Sequence, residues 1–142
     1  MNAYDNEIAI SPQNSLAWNN KGLALVKLNK SDQAVQAYDE AIKINPKDSD
    51  IWNNKGNALF NLNKYDEAII AYEKAIEINP NDSEALHNKA VTLNKLNKSD
   101  EAIKAAEEAI KLNPQGSIAR ENIENDLQKL IMIKFFLKCG II

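Results

Sequence analysis

The chain has 142 residues, room for one domain or one short repeat array, and a chain of that size buries about two-thirds of its unfolded surface. Its 17 Lys and Arg against 20 Asp and Glu leave a net charge of −3, without the basic excess expected of a nucleic-acid binder. The single cysteine, Cys139, excludes an internal disulfide and points to a reducing, cytoplasmic setting. The opening residues carry neither the basic nor the apolar region of a signal peptide, and no run nears the ~18 apolar residues of a membrane span.

Four prolines, Pro12, Pro46, Pro80 and Pro114, stand 34 positions apart, and the text before each one repeats. The sequence therefore predicts a half-unit over 1–12, full units over 13–46, 47–80 and 81–114, and a terminal segment over 115–142. The opening segment, Ala-Tyr-Asp-Asn-Glu-Ile-Ala-Ile-Ser-Pro, matches only the last part of a unit. Each full unit reads as two helices. In the second, Asp48 or Ser49 is the predicted cap of the first helix. Trp52, Gly56 and Leu59 then fall on one face. Asn63, matched by Asn29 and Asn97, is suited to the left-handed residue that ends a helix. The second helix carries Ala68, Tyr72 and Ala75 on one face and stops before Asn79-Pro80, because a proline disfavours helical geometry in the residue preceding it. Bulky rings at 18, 38, 52 and 72 alternate with Gly22, Gly56 and the alanines 34, 41, 68 and 75, which is ridge-into-groove complementarity between antiparallel neighbours.

The pattern Trp-x-x-Lys-Gly-x-x-Leu, then Ala-x-x-x-Tyr-x-x-Ala, then Pro resembles the tetratricopeptide repeat family. Trp18, Gly22, Leu25, Ala34, Tyr38, Ala41 and Pro46 match it, and so do Trp52, Gly56, Leu59, Ala68, Tyr72, Ala75 and Pro80. In the third unit Leu86 replaces the Trp, Ala90 the Gly and Ala106 the Tyr. The resemblance, over about residues 3–130, implies an all-α fold, a right-handed α-solenoid of antiparallel helix pairs forming one domain. The family's usual Leu is Lys21, Lys55 and Lys89 here, read either as snorkelling stems or as binding groups.

After Pro114, Ser117 is the expected cap of a final helix continued by Ile123, Leu127 and Leu130. Arg120 stands at the Trp position and Glu124 at the Gly position, so this helix is expected to cap the array. The run from Leu130 to Ile142 is apolar nearly all round. Three readings stay open: it covers the end of the last repeat, forms a dimer contact through Leu130, Ile131, Ile133, Phe135, Phe136 and Leu137, or rests on a membrane or a neighbouring domain. An orphan helix at each end also allows end-to-end stacking of copies.

Candidate chemistry is sparse. His87 is the only histidine and lies far in sequence from Cys139, the clustered ligands of a metal site are missing, and the glycines are too scattered for a phosphate loop. No catalytic residue, metal or cofactor is expected, and the chain reads as a non-enzyme. Binding has more support. The resemblance implies that each first helix lines a concave groove, where one position reads Asn20, Asn54, Asn88 and Asn122. An amide offers a donor and an acceptor together, so such a row suits the backbone of an extended peptide; against this, asparagine is abundant throughout the chain. Asn57, Lys27 and Lys95 add polar and positive groups to the groove, and Phe60 is either a pocket residue or core.

Some members of the family clamp the C-terminal carboxylate of heat-shock chaperones with two asparagines and three cations. The positions in register are Asn19, Leu23, Asn54, Glu84 and Asn88, or one unit later Asn53, Asn57, Asn88, Ile118 and Asn122. Neither set supplies the cations a carboxylate needs, so that ligand is not expected. Two function classes remain: a scaffold whose groove receives an extended peptide or helix of a protein partner, and an assembly module that self-associates through its apolar end.

Overall fold

The computed structural model describes residues 3–113 and 117–141, with no side-chain detail for 117–123. Among these residues there are eight α-helices and no strand: α1 (Ala3–Ile10), α2 (Ser15–Lys27), α3 (Ser31–Ile44), α4 (Ser49–Asn61), α5 (Tyr65–Ile78), α6 (Ser83–Lys95), α7 (Ser99–Leu112) and α8 (Ser117–Lys138). The side chains of Ser117, Ile118, Arg120, Asn122 and Ile123, and Pro114 itself, lie outside the described residues. The chain forms two compact units, residues 1–79 and 80–142, divided at the Asn79-Pro80 repeat boundary.

The pairs α2–α3, α4–α5 and α6–α7 are each joined by the same three-residue turn. Asn29, Asn63 and Asn97 adopt φ of 56°, 59° and 59°, the left-handed region that few side chains other than Asn tolerate. The Asn29 N–H donates to the Val26 carbonyl at 3.0 Å and the Lys30 N–H to the Leu25 carbonyl at 2.9 Å. These are the two bonds of a Schellman ending, which satisfies carbonyls the helix leaves open. Lys30 also begins α3, since its own carbonyl accepts from the Ala34 N–H at 3.0 Å. Lys64 and Lys98 repeat that double role. Thus α3, α5 and α7 form without a side-chain cap, and acidic residues in their first turns suit the positive end of the helix dipole.

Between repeats the turn is capped instead. Asn14 Oδ1 accepts from the Ala17 N–H at 3.2 Å, Asp48 Oδ1 from Asp50 at 3.1 Å and Asp82 Oδ1 from Ala85 at 2.9 Å. Of the two caps expected for α4, Asp48 is therefore the one used, and Ser49 is its first helical residue.

In the first unit α2 packs on α3, α3 on α4 and α4 on α5, with α1 against α2. Its core holds Tyr38 and Tyr72, 0% and 1% exposed, among Ala34, Ala41, Ala58, Ala68, Ala71 and Ile51. The glycines make room for the rings. A methyl group at Gly22 would lie 2.7 Å from Cζ of Tyr38, and one at Gly56 would lie 2.7 Å from Cδ1 of Tyr72, both inside contact distance. Burying a ring of this kind removes about 150–250 Å² from water, so the ring and its glycine are the main packing device of the first two repeats.

Polar groups tie successive helices together. The Trp18 indole N–H donates to the Pro12 carbonyl at 3.1 Å, and that of Trp52 to the Pro46 carbonyl at 3.0 Å. Lys21 pairs with Asp5 at 2.8 Å and Lys55 with Asp39 at 2.7 Å, each ammonium also lying over its tryptophan, 5.3 and 5.5 Å from the ring centroid. Neither snorkelling nor ligand binding describes these lysines fully, because each joins its helix to the one before it.

In the second unit α6 packs on α7, and α8 packs on both. Ala85, Leu86, Ala90, Leu93, Ala102, Ala105, Ala106 and Ala109 are buried between them. Leu130, grouped above with the self-association segment, is 3% exposed and lines one cavity with Ala90 and Ala106; it belongs to the chain's own core. Beyond it Ile131, Met132, Ile133, Phe135 and Leu137 are exposed. The end of α8 therefore runs past what it covers. Gly140, φ 69°, closes α8, with the Gly140 N–H on the Leu137 carbonyl and the Ile141 N–H on the Phe136 carbonyl.

Candidate functional site

The asparagines of the first helices are placed by helix register: positions 20, 54 and 88 recur at the same step of α2, α4 and α6, and all three side chains are half-buried. In the first unit α2 and α4 touch, and there the Asn54 Nδ2 donates to the Asn19 Oδ1 at 3.1 Å. That bond orients the Asn54 amide. Asn53, named above only as a clamp position, is 6% exposed and so belongs to the packing rather than to a wet surface.

Asn57 accepts a hydrogen bond from the Tyr72 hydroxyl at 2.8 Å, so its amide is anchored to the core. Phe60 is half-buried, tilted against Tyr65 with centroids 5.3 Å apart, and packs on the cluster around Tyr72. Lys27 is exposed at the end of α2.

In the second unit Asn88 is half-buried, its backbone carbonyl accepting from the Thr92 hydroxyl at 2.7 Å, and Lys95 is exposed. The side chain of Asn122 lies outside the described residues. His87 lines a small cavity with Asp126, Ala90, Val91, Ala106 and Leu130. Burial pushes its imidazole below the usual histidine range, against the opposing pull of the Asp126 and Glu84 charges. Its neighbours Ala106 and Asp126 set His87 in the wall of that cavity. Cys139 is exposed at the end of α8.

On the rest of α8, Ile131, Ile133, Phe135 and Leu137 face solvent, Phe136 is half-buried, and Lys134 pairs with Asp100 of α7. Among the described residues no helix is long and apolar enough to cross a membrane, and no group of three or more His, Cys, Asp or Glu side chains is arranged to hold a metal ion.

Models of the tetratricopeptide repeat match residues 19–83 and 71–104. No curated protein sequence matches the chain. Among solved structures, the first such domain of Spaghetti (RPAP3), bound to the HSP90 peptide SRMEEVD, is 26% identical with a TM-score of 0.78, over 85% of this chain and 93% of that one. The Arabidopsis OM64 TPR domain is 28% identical with a TM-score of 0.75, over 81% and 94%. MamA, at 20% identity, has a TM-score of 0.78 over 96% of this chain and 82% of its own, a likeness of fold alone. The fold class is the all-α helical repeat of the solenoid kind, an architecture of protein–protein interaction.

Proposed function

Since the chain belongs to the tetratricopeptide repeat family, whose models together match residues 19–104, we propose that it is a non-catalytic scaffold that binds an extended peptide or a helix of a protein partner along its first helices. The observation that carries this reading is the recurrence of a half-buried asparagine at one register position, Asn20, Asn54 and Asn88, with Asn54 already oriented by Asn19. Asn122 continues the register in sequence. A pre-oriented amide meets a peptide backbone with little further ordering cost, and Phe60, Asn57, Lys27 and Lys95 supply the side-chain preferences that backbone bonding lacks.

The test is Asn54→Ala with Asn88→Ala. Helicity by circular dichroism should hold while affinity for peptides selected from a displayed library falls about tenfold or more, the scale of one or two lost hydrogen bonds. Unchanged affinity rejects the asparagine row. The chaperone peptide bound by the Spaghetti domain is expected to be a poor ligand, because Asn19, Glu84 and Asn88 occupy places where a carboxylate clamp needs cations, and Leu23 one where it needs an amide; calorimetry with SRMEEVD checks this.

A second reading is favoured by one observation, the exposed Ile131, Ile133, Phe135 and Leu137 on the end of α8. Contiguous apolar surface of this kind usually meets a partner, and a second copy of the chain would cover it. Light scattering after size exclusion should then show a dimer that becomes monomeric in Phe135→Ser/Leu137→Ser. A monomer at high concentration rejects it.

A further inference from the structure

In the first two repeats a tyrosine ring fills the space between paired helices and lies against a glycine. The third repeat has Ala106 at the ring position and Ala90 at the glycine position. The added methyl replaces only part of the lost ring, and a partly open cavity of about 80 Å³ remains, walled by Ala90, Val91, Ala106 and Leu130. Protein interiors seldom leave such space unfilled.

Two polar groups sit in the same wall. Asp126 of α8 stands in register with Ala58 of α4, which packs beside Tyr38 in the first unit. His87 of α6 is close enough to feel its charge. The cavity thus combines apolar walls with a carboxylate acceptor, and Asn94 and Lys95, both exposed, lie at its rim. A small apolar pocket with few convergent polar groups is the usual form of a side-chain recognition site.

We propose that this cavity receives an aromatic side chain of the bound partner segment, with tyrosine preferred because its hydroxyl can donate to the Asp126 carboxylate. The chain shows the same chemistry internally where the Tyr72 hydroxyl donates to Asn57 at 2.8 Å. A bond to a carboxylate is the stronger version of that contact. The Ala90 methyl keeps an incoming ring off the track that Tyr38 and Tyr72 follow, so the ring sits toward Val91, Leu130 and Asp126. This inference rests on the reading of the chain as a peptide-binding scaffold and names the side chain that one of its repeats selects.

Two measurements on the full chain test it. In the first, p-cresol and toluene are titrated against the ¹⁵N-labelled protein. Saturable shifts should centre on His87, Ala90, Ala106 and Leu130, with p-cresol binding several-fold tighter than toluene, and Asp126→Ala should erase that preference. Ala90→Gly/Ala106→Tyr rebuilds the ring–glycine pair of the second repeat and should abolish the shifts; Ala106→Leu serves if that variant loses helicity. No saturable shift, or shifts that survive the filling, overturn the proposal.

In the second, peptides selected from a random displayed library should be enriched in tyrosine on the natural chain and lose the enrichment on the filled variant. Peptides selected without aromatic enrichment overturn the pocket while leaving the groove reading intact. If no peptide is selected, the groove reading fails and the p-cresol titration alone decides the pocket.

Discussion

Tyr38 and Tyr72 occupy the same place in successive repeats, each sealed against a glycine, yet their hydroxyls meet opposite fates. The Tyr72 hydroxyl donates to Asn57 at 2.8 Å, whereas the Tyr38 hydroxyl is buried with no hydrogen-bond partner among the described residues. The difference lies one helix away: the position held by Asn57 in the second repeat is Leu23 in the first. A repeat can therefore keep its packing while losing its polar match, because ring burial and hydroxyl satisfaction are supplied by different residues. The third repeat goes further and gives up the ring itself.

The largest effect expected from this comparison is deletion of the ring. Tyr72→Ala should cost about 3–5 kcal/mol, the range for large aromatic truncations in a core. Tyr38→Ala should cost less, since it also removes an unsatisfied hydroxyl. Denaturant midpoints, at unchanged slope, measure both. Equal losses would break the distinction between the two repeats.

Next in size is a single methyl. Gly56→Ala should destabilise by about 1–3 kcal/mol through overpacking against the Tyr72 ring, even though alanine is the better helix former. Ala90→Gly, where no ring stands opposite, should cost only about 0.5–1 kcal/mol through backbone entropy. The same pair of residues exchanged in opposite directions would thus destabilise both repeats, and thermal melts of the two variants check it. A stabilised Gly56→Ala would show that the close approach is not what that glycine serves.

These contrasts also mark what could be read from the chain alone. The ring–glycine pairs, the left-handed asparagines at 29, 63 and 97 and the proline-bounded units were legible because each follows a period or a local backbone rule. What crosses from one helix to another was not. The Lys21–Asp5 and Lys55–Asp39 pairs, the tryptophan bonds to Pro12 and Pro46, and the Tyr72–Asn57 bond join helices whose relative rotation no local rule gives. The same division holds at the candidate site. That Asn20, Asn54 and Asn88 share a register position was visible in the sequence; that Asn54 bonds Asn19, and that Ala106 and Asp126 border one cavity, required the packed helices. For Leu130 the sequence left burial and self-association both open, because a helix apolar nearly all round gives no sign of where its cover ends.

The smallest effects concern the hydroxyls themselves. Tyr72→Phe should lose about 1 kcal/mol, the net worth of one hydrogen bond, while Tyr38→Phe should be neutral or stabilising by a similar amount, because an unpartnered buried group disappears. Leu23→Asn should stabilise the natural chain by supplying the missing acceptor and give no gain in the Tyr38→Phe background, a double-mutant cycle that isolates the contact. High pH probes the Tyr38 hydroxyl directly. Burial pushes the Tyr38 hydroxyl up to about 12 from its ordinary 10, so in the unfolded chain this group ionises first. The stability it contributes is complete below pH 10 and is lost as pH rises through 12, because only the unfolded state releases the proton in that interval. Tyr38→Phe should flatten that part of the alkaline unfolding curve. If Leu23→Asn leaves the natural chain unchanged and Tyr38→Phe leaves the alkaline limb as steep as before, the Tyr38 hydroxyl is already satisfied, and the two repeats do not differ in their polar match.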